Sequence, residues 1–481
     1  MLNSDLIAGL SACVPSDSII ADLEALRPYE CDGLTAYRQL PVAVVLPKNV
    51  EEIRAVMQFC LQSDVPIVPR GAGTSLSGGA QPEKDGIVLS LARLNQILEV
   101  DVENRLARVQ PGVRNLAVSQ RVAEFGLYYA PDPSSQIACT IGGNVAENAG
   151  GIHCLKYGLT VHNVLSIDVV LATGEDITLT VDAPGYDLLA LMHGSEGLLG
   201  IVTEITVRLL AEPPSARTVL AAFDNVSLAS DAVAGLISSG VIPAGLEMMD
   251  KLAIDATNQF ADCGYPNDAS AILICELDGN HEEVLQQVKL VTQMFTKNGA
   301  TDLHIAESED ERLKIWSGRK NAFPAVGRLS PDYYCIDGTI PRKNLGDVLK
   351  QIYRLSEEYG LAVANVFHAG DGNLHPLILY DASNVDEFHR TEVLGGQILE
   401  LCIDAGGTIT GEHGVGVEKL DQMCIQFSEA EIAQFRLLKQ AFDPKEILNP
   451  GKAIPTLTRC SELNGLHVHA GAIPFPDIER F

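Results

Sequence analysis

The chain has 481 residues and a formal charge of −29, too long for a single core and too acidic to seek nucleic acid or an anionic membrane directly. Its 46% hydrophobic content allows a large core, yet no run approaches the ~18 consecutive apolar residues that a bilayer span needs. The stretch Met1–Ile20 lacks the basic start of a secretion signal, and eleven scattered cysteines, with no Cys-x-x-Cys pair, read as reduced cytoplasmic thiols without iron–sulfur or zinc-knuckle spacing.

Residues 1–40 read as a helical lead-in, with Ile19–Leu26 at helical spacing and Pro28 ending it. Pro41 to Pro47 enclose a short strand, and Ile53, Val56, Met57 and Cys60 set a helix period over Glu51–Gln62. An apolar run at Val65–Val68 then delivers Pro69-Arg70-Gly71-Ala72-Gly73-Thr74-Ser75-Leu76-Ser77-Gly78-Gly79. Glycines permit positive φ and close backbone approach, so converging N–H groups, the hydroxyls of Thr74, Ser75 and Ser77, and the Arg70 charge suit a pyrophosphate. An ordinary loop between strands is the competing reading. A Walker A loop is excluded, because no lysine follows before Lys84. A Rossmann turn is excluded as well: Gly79 leads through turn residues Gln81–Gly86 to a second strand, Ile87–Leu91, and not into a helix.

Val100–Val109 and Gly112–Phe125 repeat the strand-then-helix pattern. Pro131-Asp132-Pro133-Ser134-Ser135 is a rigid turn carrying hydroxyls. Thr140–Gly151 is a second small-residue stretch, against which a flat ligand can lie, with Asn144 and Asn148 able to donate and accept. Tight packing of a helix on a sheet is the other use of such residues. Strands at Val164–Ala172 and Ile177–Val181 precede a third glycine-rich loop, His193–Gly200, which enters the strand Ile201–Leu210. Glu212-Pro213-Pro214 marks a domain boundary. Beyond it, strands at Thr218–Phe223, Ala269–Leu277 and Tyr333–Ile340 alternate with helices at Ser227–Ser239, His281–Lys297, Glu309–Asn321 and Asn344–Tyr359. That order predicts an α+β domain, an antiparallel sheet covered by helices. The division expected is a lead-in over 1–40, a first domain over 41–214, a second over 215–456 and a tail over 457–481.

The strand Leu361–Phe367 delivers His368-Ala369-Gly370-Asp371-Gly372-Asn373-Leu374-His375, and Gly406–Gly411 delivers Glu412-His413-Gly414. Two histidines and a carboxylate can hold a divalent cation while leaving positions open. A lone histidine is more often a surface or satisfied core residue, which is the reading for His153, His162, His193 and His389. By the same standard Arg319 alone reads as a surface salt bridge.

Together these segments resemble a known family over about residues 40 to 456. Pro69–Gly79, Thr140–Gly151 and Glu196–Thr203 resemble the FAD-binding domain of the vanillyl-alcohol-oxidase-like flavoproteins. His368–His375 and Glu412–Gly416 resemble its D-lactate, D-2-hydroxyglutarate and glycolate dehydrogenase branch. Trp316–Pro324, Tyr333–Arg342 and the tail His467–Phe481 are most similar to the FAD-linked subunits of bacterial glycolate oxidases.

The resemblance implies a two-domain α+β flavoprotein with an N-terminal FAD-binding domain and a C-terminal cap. FAD would be held by Pro69, Arg70, Gly71, Ala72, Gly73, Thr74 and Ser75 of the first loop and by Pro131, Asp132 and Ser134 of the turn. Thr140, Gly142, Gly143, Asn144 and Ala146 of the second stretch, Glu196, Gly200, Ile201 and Val202 of the third, and Asn449 complete the set. Members that tether FAD through the first loop use a histidine there, so FAD is expected to be noncovalent here. His368, His375 and Glu412 would bind a divalent metal (Zn, Mn or Fe), His413 would be the general base, and Arg319 would pair with the substrate carboxylate.

The implied reaction is hydride transfer from a small 2-hydroxy acid, glycolate or D-lactate, to the flavin. Relatives acting on the diacid 2-hydroxyglutarate carry a lysine and an asparagine where Cys335 and Leu377 align, so a monoacid fits better. With no cysteine relay in the chain, the electrons call for an iron–sulfur subunit and a second flavin-type subunit, or a soluble acceptor or quinone. The location expected is cytoplasmic, with membrane association only through partners. A stand-alone D-lactate dehydrogenase and a non-catalytic flavin-holding subunit are the alternatives.

Overall fold

The structure is a computed structural model that describes residues 3–261, 263–456 and 459–460. Its first sheet sets Ile19–Ile20, Ala43–Val45, Ile87–Ser90 and Ile67–Arg70 side by side. The last three run parallel, and the glycine loop makes the step from Ile67–Arg70 to Ile87–Ser90 without a helix, as its sequence requires. Their continuous valine and isoleucine runs are buried, the pattern of strands covered on two faces. Helix Val50–Ser63 packs Ile53, Val56, Met57 and Cys60 against them; Asn49 caps it by accepting from the Glu52 N–H at 2.9 Å. The end of the chain returns to this sheet, where Ile67 N–H donates to the Ile447 carbonyl and Asn449 N–H to the Ile67 carbonyl, both at 2.8 Å.

The lead-in departs from its helical expectation. Only Asn3–Cys13 and Leu23–Leu26 are α-helical, while Ile19 and Ile20 pair antiparallel with Val45 and Val44. Two adjacent β-branched side chains suit a sheet edge better than a helical turn. Asp22 then starts the short helix by accepting from the N–H groups of Glu24 and Ala25.

The second sheet is antiparallel, in the order Ile97–Asp101, Leu106–Val109, Ile201–Arg208, Val164–Val170, Asp176–Thr180. Where one strand is expected over Val100–Val109, the chain makes a hairpin. Asp101 accepts from the Asn104 N–H at 2.9 Å, and Arg105 turns the chain at φ 55°.

The third sheet has seven antiparallel strands: Ala300–Ile305, Ser215–Phe223, Ala271–Gly279, Gly245–Asp250, Val363–Phe367, Pro376–Tyr380 and Asp332–Cys335. Along Ser215–Phe223, Val219, Ala221 and Phe223 join one core with helices Val226–Ser238, His281–Lys297 and Leu345–Tyr359. Leu220 and Ala222 join another with Lys251–Ala261 and Glu309–Lys320. Period-two alternation thus buries both faces of the sheet under helices. The central strand Gly245–Asp250 is missing from the sequence expectation. Leu246-Glu247-Met248-Met249 has no β-branched residue and favours a helix by propensity; pairing with Ala271–Gly279 overrides it.

The eleven cysteines are not all reduced thiols: Cys424 of helix Leu420–Gln426 is disulfide-bonded to Cys460. Apart from Arg459 and Cys460, the tail 457–481 lies outside the described residues. No helix among the described residues is long and apolar enough to cross a membrane.

Candidate active site

A cleft of about 560 Å³ opens where the glycine-rich loops meet the third sheet. Pro69 to Ser75 line it, as do Ser134, Thr140, Gly142, Gly143, Asn144 and Ala146, and Glu196, Gly200, Ile201 and Val202. The same cleft continues to Tyr333, Phe323, His375, Glu412 and His413. Small residues are needed where the walls meet: a Cβ on Gly71 would lie 2.5 Å from Thr140 Oγ1. Thr140 also caps helix Ile141–Glu147, accepting from the Gly143 N–H at 3.2 Å, so the second small-residue stretch is the first turn of a helix.

Three residues expected against FAD do not line the cleft. Asp132 turns to His153, with Oδ2 2.8 Å from Nδ1, and Pro131 gives its carbonyl to the buried Asn115 amide. Asn449 is fully buried; its Nδ2 donates to the carbonyls of Gly79 and Glu196 at 2.9 and 2.7 Å, tying the first loop to the third. Arg70 lines the cleft, yet its Nη1 donates to the Cys31 carbonyl at 2.8 Å and its guanidinium stands over the Tyr29 ring. Its charge props the loop against the lead-in.

Glu147, at the end of the helix that this stretch forms, also lines the cleft, with Oε2 buried and unpartnered. Glu196 accepts from the N–H groups of Val415 and Gly416 at 2.7 Å each. Burial and the neighbouring Glu196 carboxylate raise the Glu147 carboxyl well above its usual range.

His368, His375 and Glu412, more than forty residues apart at the extremes, are brought to one point. Glu412 Oε1 stands 3.2 Å from His368 Nε2 and 3.0 Å from His375 Nε2, while Oε2 accepts from the Gly150 N–H at 3.0 Å. One donor atom from each of the three lies within 4.8 Å of the others, and all three are buried. The His413 ring stacks on His375 with centroids 4.8 Å apart. Burial, only partly offset by Asp337, pushes His413 down to about 4, so its ring is neutral near pH 7.

Two carboxylates that sequence reasoning missed orient this centre. Asp337, fully buried, accepts from the N–H groups of Gly411 and His413 at 3.0 and 2.9 Å, from Thr410 Oγ1 at 2.7 Å and from Lys419 Nζ at 3.2 Å. It shapes the turn that presents Glu412 and His413. Glu247 accepts from His368 Nδ1 at 2.8 Å and from Arg319 Nε at 2.7 Å. A charged residue inside an apolar segment was the available signal for both. Arg319 is therefore no surface salt bridge: it is 1% exposed, behind the cleft wall formed by Lys320 and Phe323, and its Nη2 is buried without a partner.

Comparison with known proteins agrees with this arrangement. Residues 41–180 match the FAD binding domain model, and residues 212–453 match the model for the C-terminal domain of FAD linked oxidases. The chain belongs to the FAD-linked oxidase family. Among its relatives in this family is the glycolate oxidase subunit GlcD of Escherichia coli K12, 58% identical over 99% of this chain and 96% of that protein. GlcD of Bacillus subtilis is 41% identical over 88% and 91%, and a D-lactate dehydrogenase of Anaerostipes hadrus 32% identical over 93% and 97%. p-Cresol methylhydroxylase, 17% identical, shares the fold with a TM-score of 0.79 over 95% of this chain and 97% of that one. As an FAD-linked oxidase the chain is a two-domain α+β oxidoreductase that uses FAD, and its small-residue cleft fits that cofactor.

Proposed function

We propose that this FAD-linked oxidase dehydrogenates a small 2-hydroxy monoacid, glycolate by preference, with a divalent cation held by His368, His375 and Glu412. One observation carries the cation. Glu247 is a carboxylate held below the usual range, with burial outweighed by His368 and Arg319, so it accepts only, and the His368 proton sits on Nδ1. His368 Nε2 and His375 Nε2 both face the one Glu412 Oε1, at 3.2 and 3.0 Å, so three buried ligand-type groups converge on one point. A Zn, Mn or Fe dication with N/N/O donors and open positions answers it.

When bound, the dication supplies polarisation of the substrate hydroxyl and noncovalent FAD supplies the hydride acceptor. His413, neutral and beside Glu412, takes the hydroxyl proton; its buried Nδ1 has no protein partner. Asp337 holds the His413 backbone so that the ring stays stacked on His375. Arg319 is buried and does not line the cleft, so the neighbouring Lys320, which does, is the cation that meets the substrate carboxylate.

The monoacid preference rests on Cys335 and Leu377. They are register partners on neighbouring strands, both buried, and Cys335 Sγ comes within 4.8 Å of donor atoms of His375 and His413. Neither can pair a second carboxylate. Electrons leave to partner subunits, an iron–sulfur protein and a second flavin-type protein, because the cysteines of this sequence have no cluster spacing. Relatives named as oxidase subunits agree with that.

Anaerobic addition of glycolate to FAD-loaded, metal-replete protein should bleach the flavin faster than D-lactate does. Faster bleaching by D-lactate transfers the reading to a D-lactate dehydrogenase, and no bleaching by either removes it. The variant His413→Ala should keep FAD and lose substrate-driven bleaching; unchanged bleaching takes His413 out of the mechanism.

A further inference from the structure

We propose that Glu247 is a positioning residue that decides which ring nitrogen of His368 faces the cation and, through the same carboxylate, seats Arg319. The inference rests on the cation reading above. Glu247 sits on the central strand Gly245–Asp250, on the face shared with Met249 and turned toward helix Glu309–Lys320, and is 0% exposed. Its Oε1 accepts a hydrogen bond from His368 Nδ1 at 2.8 Å, and its Oε2 accepts one from Arg319 Nε at 2.7 Å.

A purely structural ion pair would be built differently. A buried arginine and carboxylate reach their best geometry as a fork, with Nε and an Nη each donating to one of the two oxygens. Here Arg319 spends only Nε on Glu247 and leaves Nη2 buried and unpartnered, while the second carboxylate oxygen goes to the imidazole. Leaving that buried donor unmet is unfavourable. A fork would have avoided this cost, so the split carboxylate points to orientation of His368 as its role. An acceptor on Nδ1 makes the opposite nitrogen both the lone-pair atom and a stronger donor to a metal. One side chain thereby sets a cation-facing nitrogen and the placement of a guanidinium from two different elements.

The test is Mn²⁺ uptake by FAD-loaded protein in equilibrium dialysis, with bound ion read by electron paramagnetic resonance. Two variants are compared with the parent, Glu247→Gln and the double variant Glu247→Met with Arg319→Met. The double variant removes both charges at similar volume, a replacement that buried pairs tolerate. The expected result is one Mn²⁺ per FAD in the parent, abolished by Glu412→Ala, and at least about tenfold weaker uptake in both variants with FAD content unchanged. Parental uptake by the double variant, whatever Glu247→Gln does, makes Glu247 a counter-ion for Arg319 alone and overturns the proposal. Parental uptake that Glu412→Ala leaves intact overturns the cation reading itself, and this proposal with it.

Discussion

The two ends of the cleft recognise by different means. The loop end, from Pro69 to Gly79 and from Thr140 to Ala146, works through backbone and small side chains, so its tolerances are steric. The chemical end, as proposed, works through His368, His375, Glu412 and His413, each placed by a buried carboxylate or by another ring. Glu247 and Asp337 do not line the cleft, yet they fix the direction of a ring and the shape of a turn. A backbone site is lost when something is added to it. A side-chain site is lost when something is removed, including groups one hydrogen bond behind it.

The largest effect should come from removing a donor at the chemical end. Glu412→Ala takes away the one carboxylate oxygen shared by both imidazoles. Substrate-driven flavin reduction, followed by anaerobic stopped flow, should fall by roughly a thousandfold or more, the scale of several kcal/mol of Lewis-acid stabilisation. FAD content should stay near the parental level, because the one bond lost toward the second stretch, from the Gly150 N–H to Oε2, lies outside the Pro69–Ser75 and Thr140–Ala146 lining. Loss of FAD with the activity would show that the two ends are one unit.

The reciprocal change adds bulk to the loop end. Gly73 stands at φ 71°, and a Cβ there would lie 2.2 Å from Arg70 Nη2. Gly73→Val must strain a left-handed position by about 1–2 kcal/mol and push the guanidinium off the Cys31 carbonyl. FAD affinity, measured by fluorescence of released flavin, should weaken about tenfold or more, while Mn²⁺ uptake stays parental. Weakened Mn²⁺ uptake would break the separation from the other side.

How much of this was legible in the sequence follows the same division. Gly71, Gly73, Gly142 and Gly143 are legible because composition itself is the signal, and the strand-to-strand path of the first loop follows from Gln81–Gly86. That His368, His375 and Glu412 could meet is legible because residue types able to bind a metal stand out at sharp turns. Their orienters are not. Glu247 lies in a segment that reads as helix and pairs with residues 72 and 121 positions away, and a single sequence carries no trace of such partners. Asn449 and Asp132 do not line the cleft: Asn449 ties Gly79 to Glu196 and Asp132 pairs with His153, partners that a single sequence does not show. The helix expected at Ile19–Leu26 failed because apolar spacing over a few residues fits a helix and an edge strand alike.

The smallest effect lies at the seam between the loop end and the third sheet, where His153 bridges Asp132 and Glu276. Nδ1 is 2.8 Å from Asp132 Oδ2 and Nε2 is 3.3 Å from Glu276 Oε1, while Arg312 Nη1 donates to Glu276 Oε2 at 2.8 Å and Trp316 Nε1 to the same oxygen. Burial alone would lower the imidazole pKa, but the two carboxylates outweigh it and hold it well above its ordinary value. A raised folded-state pKa means stabilisation that is complete below the unfolded value of about 6.5 and fades as pH rises through the folded one. His153→Gln should therefore lower the unfolding temperature most near pH 6, by the equivalent of about 1 kcal/mol for a partly exposed pair, and progressively less at alkaline pH. Calorimetry of parent and variant across that range checks it. A gap that widened with pH would mean that the folded protein holds His153 neutral and that the seam is hydrogen bonding alone, with no charge across it.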